Sequence, residues 1–182
     1  MSFKWWILIA VCLFSIGIAL GLTVSVGIAE LVAKDLSALE ELGNILTPFQ
    51  ASMAIFIFIK NVSVLLLSFV FSPVFCLLPA LALMANAWLL SFVSAIAIHE
   101  KSLGFVLAAL LPHGIFELPA LIIGEAAALS FGAMTIMALI SKEKRKLLMP
   151  NLKQNLRYLM VAIALLLPAA IIETYITPLL LT

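Results

Sequence analysis

Long apolar runs separated by short polar clusters make up almost the whole chain. A helix that crosses a bilayer needs about 20 apolar residues at 1.5 Å rise per residue. Four runs meet that length plainly, at about 5–29, 49–71, 74–98 and 158–180. The first is too long for the apolar core of a secretory leader, which is about 7–15 residues, so it is predicted to be a retained span. Trp5 and Trp6 beside Lys4 suit an anchor at the headgroups. A fifth run, 103–140, is longer than one crossing requires. As one helix it would reach about 57 Å against a hydrocarbon core of about 30 Å. Pro112-His113-Gly114 lies within it. Proline removes a backbone donor and crowds the preceding turn, and glycine relaxes the backbone. The pattern therefore predicts a short membrane-embedded helix over 103–111, a break at Pro112 and Gly114, and a fourth full span over 116–140. The expected architecture is an all-α membrane protein: one polytopic domain, 1–182, forming a bundle of five transmembrane helices with an interrupted helix before the fourth span.

Composition supports the bilayer as solvent. Of 182 residues, 65% are hydrophobic and only 10% charged, with a mean hydropathy of +1.29. Soluble domains carry about 25% charged residues. Within lipid only helices and closed barrels satisfy their own backbone groups, and a barrel would alternate apolar and polar residues at period two. These runs are continuous, so helices are predicted. No loop is long enough for a soluble domain. A net charge of +1 gives no argument for nucleic acid. Cys12 and Cys76 lie in apolar runs and read as small buried hydrophobes.

Charge sets an expected orientation. Lys142, Lys144, Arg145, Lys146, Lys153 and Arg157 form the basic cluster between the last two spans. Positive-inside bias places it in the cytoplasm. Counting back through single crossings leaves the N-terminus cytoplasmic, the acidic segment 30–47 and the His99 cluster outside, and the C-terminus outside, in a plasma membrane.

Ionisable and amide side chains inside spans are costly and call for partners. Lys60, Asn61, Asn86, His113, Glu117, Glu125 and Glu173 all fall there. Counted from the predicted span ends, Lys60 and Glu125 share the midplane, so they are expected to form an ion pair supported by Asn61 and Asn86, either static or exchanging partners. His113 and Glu117 are one helical turn apart, with Glu173 at similar depth. Such a group suits a proton, a divalent cation or a polar headgroup. An equally open role for His113 is to cap carbonyls freed by Pro112. No catalytic set is legible: H-E-x-x-H, G-x-S-x-G and phosphate loops are absent, which leaves an intramembrane metalloprotease the weakest reading. No metal or cofactor is predicted. Gly17, Gly21 and Ser25, spaced i, i+4, i+8, predict a face for close helix approach.

The segment Leu111-Pro112-His113-Gly114-Ile115-Phe116-Glu117-Leu118-Pro119-Ala120, followed by Ile122-Ile123-Gly124, resembles the hallmark of the stage II sporulation protein M family. Ile172-Glu173-Thr174-Tyr175-Ile176-Thr177-Pro178 is similar to that family's last span, with its intramembrane glutamate and Thr-Pro. Where the family shows paired asparagines in the second span and Asn-Gly in the third, this chain has Lys60-Asn61 and Asn86-Ala87. The resemblance implies a non-enzymatic membrane scaffold or assembly component, since in spore formers such proteins gather peptidoglycan-degrading enzymes at the engulfing membrane. The expected partners are the lipid bilayer and a homodimer or larger membrane complex, since five crossings alone are few to form a pathway. The alternative from the residues is a small transporter, permease subunit or lipid-handling protein that uses buried charges and a discontinuous helix.

Overall fold

The computed structural model describes residues 2–23 and 49–181. Among them are five long helices and one short one: α1 (Phe3–Leu22), α2 (Ala51–Phe71), α3 (Leu78–Glu100), α4 (Leu103–Ile140), α5 (Lys142–Tyr175) and α6 (Thr177–Leu181). The five long helices are each long and apolar enough to cross a membrane. Ser25 and the acidic segment lie outside the described residues.

Contacts fix how the helices run. Gly17 meets α3 at Met84 and Ala87, and Gly21 meets it one turn later at Trp88 and Ser91, so α1 and α3 are parallel. Asn61 pairs with Glu117 and Ser68 with Glu125, so α2 and α4 are parallel. Asn155 bonds Ser130 while Thr177 reaches His113, so α5 returns antiparallel to α4. Directions therefore alternate along the chain, as successive crossings require. Phe3 stacks on Tyr158 with ring centroids 3.6 Å apart, which places the N-terminus at the end of the bundle that carries the basic cluster.

Helix α4 is central and touches every other element. Its middle is made of small side chains: Gly124, Ala126, Ala127, Ala128, Ser130 and Gly132 are all buried. Without a hydrophobic force between helices in lipid, close packing of small residues is what joins them. A Cβ on Gly132 would lie 2.6 Å from the Ser72 carbonyl oxygen, and one on Gly124 would lie 2.8 Å from the Leu65 side chain. Gly124, Ala128 and Gly132 repeat on α4, over one turn more, the spacing by fours of Gly17 and Gly21 on α1.

The predicted interruption is not present. Helix α4 runs from Leu103 to Ile140 through both Pro112 and Pro119. Each proline deletes one hydrogen bond, but inside a bundle no water competes for the backbone, and neighbouring turns hold the helix together. Gly114 is helical, and a Cβ there would meet nothing within 4 Å. Gly114→Ala is accordingly expected to leave thermal stability in detergent unchanged or raised by up to about 1 kcal/mol, the helix-propensity difference. A marked loss would show that the glycine is needed for a bend.

The break falls instead between α5 and α6. Pro178 has no N–H to give the Thr174 carbonyl, and the helix stops at Tyr175. The Phe49 N–H supplies the missing donor at 3.4 Å, from a residue held at φ 65°. The two chain segments are thereby tied together at the end away from the basic cluster. At the other end, Ser141 alone, in extended conformation, joins α4 to α5, and the Arg145 Nε donates to the Ala138 carbonyl at 3.0 Å, capping the end of α4. The basic cluster is thus the first half of α5. With Gly132 level with Ser72 at the end of α2, the α4–α5 hairpin extends eight residues further, about 12 Å.

Cys12 is exposed and Cys76 half-buried, not buried as expected. Cys12 lies about 200° around α1 from buried Ala10, at 3.6 residues per turn, and so faces away from the seam.

Candidate functional site

Four helices, α2, α4, α5 and α6, bring polar groups together around the first half of α4. His113 and Glu117 lie one turn apart on α4, with His113 Nε2 3.7 Å from Glu117 Oε2. From α2, the Asn61 side-chain amide donates to Glu117 Oε1 at 3.1 Å. From α6, the Thr177 hydroxyl lies 3.5 Å from His113 Nδ1. Glu173, near the end of α5, completes the group: one ligand atom each from His113, Glu117 and Glu173 lie within 4.8 Å of one another. Lys60 precedes Asn61 on α2 and is exposed. His113 is buried, while Glu117 and Glu173 are half-buried.

Access comes from the side of the bundle. A cavity of about 320 Å³ is lined by Leu107, Leu111, His113, Ile115 and Glu117. A larger apolar one of about 420 Å³ lies between α1, α3 and α4, where Asn86, Ser94 and Glu117 are its polar members. Glu117 belongs to both, and its side chain is 31% exposed.

The expected Lys60–Glu125 ion pair does not form. Asn61 is level with Glu117, and Glu125 lies eight residues further along α4, about 12 Å deeper. Glu125 is fully buried and accepts from the Ser68 hydroxyl, while its Oε1 has no partner. The predicted depth failed because it was counted from a break at Pro112; an α4 that starts at Leu103 shifts every register. Asn61 serves Glu117 instead. Asn86 is exposed and donates to the Ala82 carbonyl of its own helix at 2.8 Å, so its amide does not support the expected pair. His113 is likewise not a cap for carbonyls freed by Pro112, since its ring faces Thr177 and Glu117. Gly17 and Gly21 are buried at the α1–α3 seam as expected.

Sequence reasoning missed Thr177 and Ser68 as partners, and a second polar group near the basic end. There Asn155, 1% exposed, donates to Ser130 Oγ at 3.2 Å and to Asn151 Oδ1 at 2.9 Å. The hydroxyl residues were hard to find because a lone Ser or Thr in a helix usually bonds its own i−4 carbonyl, as Ser15 and Thr135 do here.

The residues that form this cluster are those of the segments 111–124 and 172–178, together with Asn61. The profile of the family described as stage II sporulation protein M matches residues 9–178, which include all of them. The chain belongs to the stage II sporulation protein M family. It is also 29% identical over 173 residues to an uncharacterized protein of Methanocaldococcus jannaschii, a match spanning 94% of this chain and 93% of that protein. No solved structure matches the chain. For this member of the stage II sporulation protein M family, the cluster is the one place among the described residues where His and two carboxylates meet.

Proposed function

We propose that this chain is a small membrane transport component whose working site is the His113–Glu117–Glu173 cluster, which takes up a cation inside the bundle. The observation behind this reading is the convergence of three titratable side chains from two helices, steadied by Asn61 and Thr177, beside a cavity open at the flank of α4. Packing alone does not need such a group, because each ionisable side chain within a membrane adds a cost of a few kcal/mol that small apolar residues avoid. By positive-inside bias the basic end faces the cytoplasm of a plasma membrane, and the cluster then takes its cation from the outer half of the bundle. Glu117→Gln keeps the shape and an acceptor for the Asn61 amide while removing the charge. In proteoliposomes with a trapped pH-sensitive dye, the wild type is expected to show cation-dependent flux and the variant to lose it, with oligomer size unchanged. Wild-type flux no faster than that of empty liposomes would overturn the reading.

Family membership favours a second reading, a scaffold that assembles with copies of itself or with other membrane proteins. It expects Glu117→Gln to leave complexes intact and a defined partner to co-purify in mild detergent.

A further inference from the structure

The arrangement of the cluster narrows the cation. On the reading of this group as a cation site, the geometry points to a divalent transition-metal ion of the zinc type, held by His113 Nε2 and one carboxylate oxygen each of Glu117 and Glu173. Zinc takes imidazole nitrogen and carboxylate oxygen at about 2.0–2.2 Å, which in a tetrahedral site puts neighbouring ligand atoms roughly 3.4 Å apart. His113 Nε2 and Glu117 Oε2 are 3.7 Å apart, and the three residues can each present one ligand atom within 4.8 Å of the other two. Rotamer adjustments of an ångström or so close the set without moving a helix.

The surroundings orient the ligands as a metal requires. A ligating histidine bonds its other ring nitrogen to a fixed acceptor, and a ligating carboxylate is itself hydrogen-bonded. Thr177 lies 3.5 Å from His113 Nδ1, so in the tautomer with Nδ1 protonated this ring nitrogen has its acceptor and Nε2, which faces Glu117, is the ligand atom. Asn61 occupies Glu117 Oε1, leaving Oε2 turned towards His113. Two groups outside the triad thus free the two atoms that face each other. Charge agrees: two carboxylates neutralise a divalent ion where lipid would penalise a net charge. A single imidazole among carboxylates suits zinc or a related ion, whereas calcium takes six to eight oxygens and magnesium keeps most of its waters. Three protein ligands leave a position open for water or for exchange, on the cavity side of Glu117.

The test uses the full chain purified in detergent, stripped with a chelator, and titrated with Zn²⁺ by equilibrium dialysis and with Co²⁺ by visible absorption. One ion per chain and the intense absorption of four-coordinate Co²⁺ are expected. His113→Ala and Glu173→Gln are expected to weaken binding roughly a hundredfold or more, and Thr177→Val about tenfold. Glu125→Gln, deeper in the bundle, is expected to change nothing. Failure of the wild type to retain one ion overturns the inference, as does an affinity indifferent to these variants. Should His113→Ala not be monodisperse, the wild-type stoichiometry and Thr177→Val decide. Glu117-dependent proton flux without metal binding removes the metal and keeps transport; metal binding without flux removes transport and keeps the metal.

Discussion

Gly17→Leu is expected to prevent α1 from seating on α3 and to cost at least about 2 kcal/mol, within or above the usual range for overpacking. A Cβ at this position already falls 2.6 Å from the Met84 carbonyl oxygen and 2.7 Å from the Ala87 Cβ. The first is backbone and cannot rotate away, so the helices must separate. Separation also loosens the neighbouring cluster of Ala10, Leu83 and Ala126 in the same seam. Chemical unfolding in mixed micelles measures the loss, and Gly17→Ala is expected to lie between wild type and leucine. Ala19→Leu, on the exposed side of the same helix, is the control and is expected to be neutral. Equal stability of Gly17→Leu and Ala19→Leu would mean that α1 does not pack through this face.

Glu125→Lys is expected to abolish the folded, monodisperse protein. Glu125 is enclosed by α4's small-residue stretch and the Ser68 hydroxyl, with no cation against it. Burying an uncompensated charge costs several kcal/mol even after relaxation. A longer side chain would also drive into the contact of Gly124 with Leu65. Glu125→Gln, neutral and of the same shape, is expected to match or exceed the wild type in the fraction recovered as a single species by size exclusion. Because Lys60 lies about two turns away along the bundle, Lys60→Glu combined with Glu125→Lys is expected to be as damaged as Glu125→Lys alone. Rescue in the double variant would show that the two side chains pair after all.

The number of long helices and their alternating directions were readable from run length and charge, because a bilayer imposes both. The seam glycines on α1 were readable for the same reason, since spacing by fours puts small residues on one face. Gly124 and Gly132 carry the same signal, spaced by eight on one face of α4. What failed was register. Proline in water-exposed helices ends them, and that rule was carried to Pro112, where packed neighbours remove the competitor that would open the helix. Pro178 does end a helix, and no local pattern separates the two prolines. His113, Glu117 and Glu173 were recognisable as costly residues, and they do meet. Their helpers were not, because Asn61 was assigned to the wrong carboxylate and Thr177 lies 64 residues from the histidine it touches.

The absence of a joint in α4 has a mechanical consequence. His113 and Ile140 lie on one rod, about 40 Å apart at 1.5 Å per residue. Its tightest contacts, around Ala126 to Ala128, are near the middle of that distance. Such a rod couples its two ends: a force at the basic end that tilts α4 against α5 would shift His113 and Glu117 relative to Glu173 at the other.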